Sequence, residues 1–124
     1  MIQNITLSQS QKKKLIDELL INIKNLNYHI VNRADLKNKL FMYKYRIINE
    51  KGAQIILEKI SINNLISVEY DDDVIQYGTE EVVIFHINCK LTDYHGDDNE
   101  VKVYVKIKNK KDNIPIISLH ECDY

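Results

Sequence analysis

The residues best suited by type and spacing to act on a substrate lie in the last quarter of the chain. From position 101, Val101, Val103, Val105 and Ile107 alternate with Lys102, Tyr104, Lys106 and Lys108. A period of two places the first set on one face of a β-strand and the second set on the other. The polar face therefore carries an aromatic hydroxyl with a lysine two residues to either side. Lysine neutralises a phosphate, and tyrosine stacks on a base or donates a hydrogen bond, so this face suits a phosphodiester, with Lys102 and Lys108 as RNA-binding cations. The same alternation also describes a solvated sheet face whose lysines discourage aggregation.

A turn, Lys110-Lys111-Asp112-Asn113, leads to a further strand, Ile114 to Glu121. Pro115 falls near its start, where a missing N–H is tolerated. Strand periodicity groups Ile116, Ser118 and His120 on one face, with Ile117, Leu119 and Cys122 roughly on the other. If the two strands form a hairpin, His120 reaches the face of Tyr104 and Lys106. Imidazole titrates near neutrality and can pass protons in RNA cleavage without a metal. A 2′-hydroxyl is deprotonated, attacks the adjacent phosphate and expels a protonated 5′-oxygen, while a lysine stabilises the growing charge. Tyr104, Lys106 and His120 are the catalytic candidates, and the scheme calls for no cofactor.

Charge is distributed unevenly. The formal net charge of −1 divides into +6 over residues 1–64, −9 over 65–100 and +2 over 101–124. Any RNA site must therefore avoid the middle segment, leaving the Lys102–Lys108 strand and the basic helices. Within that segment Asp71, Asp72, Asp73, Asp97 and Asp98 are candidates for contact with a basic partner. His95 with Asp93, Asp97 and Asp98 offers oxygen ligands for a divalent ion, but calcium-loop spacing is missing and the residues read as a solvated loop. His86 and Cys89 fall on opposite faces of a strand and are not a chelating pair. Neither Cys89 nor Cys122 has the neighbours that activate a nucleophile.

The elements that position these residues follow from their periodicity. One domain, 1–124, is expected from the length. Ser8 and Gln11 make a capping-box pattern, and Leu15, Ile16, Leu19, Leu20, Ile23 and Leu26 recur at helical spacing. Lys12, Lys13 and Lys14 belong on the solvated face of that helix. Asn32 to Lys39 reads as a second helix, running into an extended stretch where Phe41, Tyr43, Tyr45 and Ile47 alternate with Met42, Lys44, Arg46 and Ile48. Asn49 caps a third helix with Ala53, Ile56, Leu57 and Ile60 on one side. Strands follow at Leu65–Tyr70 and Val82–Lys90, with a turn at Gly78 between them and an acidic loop from Thr92 to Glu100. The layout is α+β, with two or three N-terminal helices packed on a small C-terminal antiparallel sheet. Two cysteines make no disulfide framework, no apolar run approaches the ~20 residues of a membrane span, and the N-terminus lacks a signal-peptide pattern. A cytoplasmic chain without membrane contact is expected.

The segment Val103-Tyr104-Val105-Lys106-Ile107, followed by Ile116-Ile117-Ser118-Leu119-His120-Glu121, resembles the last two strands of MqsR-type toxins in the RelE-like superfamily. Residues 29–70 are similar to a related uncharacterised branch, through His29, Arg33 and Ile66-Ser67-Val68-Glu69-Tyr70-Asp71-Asp72. The resemblance implies helices on a small antiparallel sheet. It also implies an endoribonuclease that cuts mRNA, free or on the ribosome, and is neutralised by a cognate antitoxin. Tyr104 and Lys106 match the strand tyrosine and lysine of that pattern, and His120 stands where a lysine or histidine occurs. The alternative is a non-catalytic interaction protein of the same fold. It would be a phage- or plasmid-borne inhibitor or immunity-type protein, binding a basic partner through residues 69–100.

Overall fold

A computed structural model describes residues 2–32, 34–71 and 80–122. The chain runs β1 (Ile2–Asn4), α1 (Gln9–Lys24), β2 (Tyr28–Ile30), α2 (Lys37–Lys44), α3 (Glu50–Leu57), a 3-10 turn (Ile62–Asn64), β3 (Leu65–Asp71), β4 (Glu80–Thr92), β5 (Asp98–Lys108) and β6 (Ile114–Glu121). The six strands form one sheet in the order β1-β3-β4-β5-β6-β2. The architecture is α+β, with the helices preceding the main strands. Among the described residues, no helix is long and apolar enough to cross a membrane.

Local rules account for α1 and α3. Ser8 Oγ accepts from the Gln11 N–H at 3.2 Å, and Gln11 Oε1 accepts from the Ser8 N–H at 2.8 Å, so two orphan donors are satisfied reciprocally. Leu15, Ile16, Leu19 and Ile23 then bury one stripe of α1. Asn49 caps α3 by accepting from the Gly52 N–H at 3.1 Å, and Ala53, Ile56 and Leu57 face the core. Gln54 of α3 donates to the Ile23 carbonyl at 3.0 Å, which ties the end of α1 to α3.

The stretch between those helices departs from expectation. Helix α2 covers Lys37–Lys44 rather than Asn32–Lys39, and no strand forms over 41–48. Phe41 and Tyr45, four residues apart, are buried with ring centroids 5.1 Å apart, whereas Tyr43 is 73% exposed. A spacing of four selects a helical turn, and the apparent alternation was incidental. Two short strands also join the sheet from the N-terminal half. β1 pairs antiparallel with β3, while β2 pairs parallel with β6, so the sheet is mixed.

The core lies between the helices and one sheet face, which presents Val83, Phe85, Ile87 and Cys89 of β4, Val101, Val103, Val105 and Ile107 of β5, and Ile114, Ile116 and Leu119 of β6. The expected acidic loop is shorter than Thr92–Glu100, because Thr92 ends β4 and Asp98–Glu100 begin β5. Thr92 pairs with Asp98, and Asp93 to Asp97 make a short turn with Gly96 at φ +88. Arg33, Asp72, Asp73 and the expected turn at Gly78 lie outside the described residues.

Candidate functional site

The sheet face turned away from the core positions the site. β5 and β6 form the expected hairpin, with Tyr104 opposite His120 and Lys106 opposite Ser118. On its other side Tyr104 pairs with His86 of β4. Three aromatic rings thus make a row across the three strands β4, β5 and β6. The Tyr104 and His120 centroids are 5.4 Å apart with planes 16° from parallel, and the His86 and Tyr104 centroids are 5.6 Å apart at 51°. All three side chains are half-buried. One step along the strands lies the row Ile84, Lys106 and Ser118; one step the other way Asn88 pairs with Lys102. Lys102 is exposed, and Lys106 and Lys108 are half-buried.

His86 belongs to this site and was missed from sequence, because it falls within residues 65–100, the acidic segment that an RNA site was expected to avoid; the β4–β5 register corrects that expectation. Its face assignment is legible, since it alternates with Val82, Ile84, Asn88 and Lys90, but the register that sets it beside Tyr104 is not. Burial, reinforced by the Lys102 ammonium, lowers its pKa below the ordinary imidazole value of about 6.5. Protonating His86 therefore costs folding free energy, so its contribution to stability is present above that ordinary value and falls as pH falls below it. In an NMR titration His86 is expected to titrate below 6.5. Lys102→Ala should raise that value only part of the way, because burial is the larger cause.

His120 is oriented by its own strand. Its Nδ1 lies 2.8 Å from the Glu121 carbonyl oxygen. A carbonyl can only accept, so Nδ1 carries the proton and Nε2 is the nitrogen left to exchange one. A bulge in β6 separates the face of Ile116 from that of Ser118 and His120. Ile107 pairs with Ile116 while Lys106 pairs with Ser118, so Ile117 is the extra residue. Ile116 and Leu119 consequently both enter the core, which corrects the expectation that Ile116 shares a face with Ser118 and His120.

The bulge is held by Asn38 of α2, another residue the sequence did not single out. Asn38 is 2% exposed. Its Nδ2 donates to the carbonyls of Ile117 (2.8 Å) and Val31 (3.0 Å), and its Oδ1 accepts from the Leu119 N–H at 2.8 Å. One amide thereby joins α2 to both flanks of Ser118.

Helix α2 also secures the next residue. Glu121 accepts from the Tyr45 hydroxyl and, at 3.1 Å, from Lys44 Nζ. The Tyr45 bond, with Lys44 adding to it, holds the Glu121 carboxyl below its ordinary pKa. Its stabilising effect is therefore present above about 4.3, the free glutamate value, and is lost as pH falls through the depressed one. The Glu121 side chain is 43% exposed, so Tyr45→Phe is expected to cost about 1 kcal/mol, below the usual range for a charged hydrogen bond. Urea unfolding at neutral pH measures it.

The other candidates are dispersed. Asp71 pairs with Glu80 at one end of β4 and Asp98 with Thr92 at the other. The 13 residues of β4 put those ends about 40 Å apart at ~3.3 Å per residue. Asp93 is a turn former: its carboxylate accepts from the N–H groups of His95 (2.9 Å) and Asp97 (3.0 Å) and from Asn99 Nδ2 (3.0 Å). Among the described residues, no group of three or more His, Cys, Asp or Glu converges as a metal site. Cys89 faces the core and His86 the opposite side, and burial raises the Cys89 thiol pKa. His29 lies on β2, with Nδ1 2.9 Å from Asn113 Oδ1 and away from the ring row. Comparison with protein-family models, curated proteins and solved structures returned no match.

Proposed function

We propose that this chain is a RelE-like endoribonuclease of the toxin type, cutting single-stranded mRNA by acid–base chemistry and held in check by an antitoxin protein. The observation that carries the reading is the His86–Tyr104–His120 row on one sheet face, flanked by Lys102 and Lys106.

Two imidazoles separated by one ring suit an in-line displacement at phosphorus, which needs a base near the attacking oxygen and an acid near the leaving one. His86, favoured in its neutral form, takes the 2′-hydroxyl proton. The 2′-oxygen bonds to phosphorus and the P–O5′ bond breaks. His120 as imidazolium, with Nδ1–H held by the Glu121 carbonyl, gives its Nε2 proton to the 5′-oxygen. Lys106, one step along β5, balances the charge on the phosphorane oxygens. The products are a 2′,3′-cyclic phosphate and a 5′-hydroxyl. Tyr104 spaces the two imidazoles and forms the floor beneath the phosphate.

The test is incubation of the purified protein with single-stranded RNA in excess chelator, with end-group analysis of the fragments. Cyclic phosphate ends are the expected result. Intact RNA, both in this assay and in a translating extract containing ribosomes, would remove the reading.

A further inference from the structure

Beside His120 the sheet face opens into a pocket of about 240 Å³ between α2 and β6, lined by Lys37, Leu40, Phe41, Lys44, His120 and Glu121. Its composition is mixed in a particular way. Leu40 stands 62% exposed and Phe41 5% exposed, giving an apolar side from α2. Lys37 and Lys44 are seven residues apart on that helix, two turns or about 10.5 Å along its axis. Across from them stand the His120 imidazole, whose plane lies nearly parallel to the Tyr104 ring, and the Glu121 carboxylate. The bonds from Tyr45 and Lys44 both fall on Glu121 Oε1; among the described residues none falls on Oε2.

We infer that this pocket seats the nucleobase next to the scissile phosphate, and that it prefers a base bearing an exocyclic amino group. The inference rests on the ribonuclease reading for its place in the reaction. The flat face of a base would lie against Leu40 and His120, which both line the pocket, extending the Tyr104–His120 stack as single-stranded bases do on aromatic side chains. Lys37 and Lys44, the latter also paired with Glu121, give the rim a positive charge that suits the phosphates on either side of that base. A carboxylate accepts from an amino group such as cytosine N4–H₂, and meets the O4 acceptor of uracil unfavourably.

The experiment is an NMR titration of the full chain with cytidine 3′-monophosphate, uridine 3′-monophosphate and inorganic phosphate, following the Leu40 methyl and His120 ring signals. The cytidine nucleotide should move both sets and bind at least fivefold more tightly than the uridine one, while phosphate leaves the Leu40 methyls in place. Glu121→Gln should erase the preference. Leu40→Glu, at an exposed position, should weaken both nucleotides at least tenfold. Equal affinities, or nucleotide binding that leaves Leu40 unmoved, would overturn the inference. Nucleotide binding here without RNA cleavage keeps the base site and removes the nuclease reading. Cleavage by a protein whose Leu40 signals ignore nucleotides does the reverse.

Discussion

Asn38→Ala should lower the unfolding midpoint by roughly 10 °C, the largest stability effect expected from one exchange of a polar side chain among the described residues. The side chain makes three hydrogen bonds to backbone groups of two segments. Its removal leaves the Ile117 and Val31 carbonyls and the Leu119 N–H without those partners at a site 2% exposed. Each buried group left unpaired costs about 1–3 kcal/mol, and partial relaxation brings the total to about 3 kcal/mol. In a domain of this size 1 kcal/mol moves the midpoint by about 3–4 °C. Asn38→Leu separates hydrogen bonding from volume, since it fills the space and restores none of the bonds. Both variants should be destabilised alike in thermal and urea unfolding. A near-native Asn38→Leu would mean that packing, not the amide, holds β6 to α2. The exchange should also reach the site, because the end of β6 that sets His120 opposite Tyr104 is held to α2 at Ile117 and Leu119.

The largest functional effect is expected at the two histidines. His120→Ala and His86→Ala should each slow RNA cleavage by about 10²–10⁴-fold, the usual range for a general acid or base. The half-buried rings of both residues lie off the core face, so circular dichroism and unfolding midpoints should change little. The double variant should lose little more than the worse single one, because groups that act on one proton-transfer sequence are not additive. Lys106→Ala should cut the rate while Lys106→Arg retains part of it, as charge neutralisation requires. The pH–rate profile should be bell-shaped, its ascending limb set by His86 and therefore below 6.5, moving upward in Lys102→Ala in step with the NMR titration. Full activity in the folded His86→Ala/His120→Ala protein would place the chemistry elsewhere.

What could be read from the chain alone follows from local physics. Ser8 and Gln11 announce α1, and Asn49 announces α3, because capping depends on residues within one turn. The alternation of Val101–Lys108 defines both faces of β5, and the short turn after it makes β6 its antiparallel neighbour, which brings His120 opposite Tyr104. The α+β class, the helical stripes and two members of the ring row were legible for that reason. The remaining features come from contacts between distant positions. β2 is three residues long and exists through its parallel pairing of Tyr28 with Ile114, a contact with no signature at either site. His86 reads as one polar residue on an otherwise mixed face until the β4–β5 register sets it beside Tyr104. Asn38 looks like a surface asparagine until two carbonyls and an N–H from separate segments close around it. The bulge at Ile117 is equally hidden, since nothing in Ile116-Ile117-Ser118-Leu119 distinguishes an even strand from one with an extra residue. Periodicity determined which side chains face together along the regular strands β4 and β5. Tertiary packing alone decided which of them meet across strands, because register, bulges and buried hydrogen bonds are set by the partner and not by the segment itself.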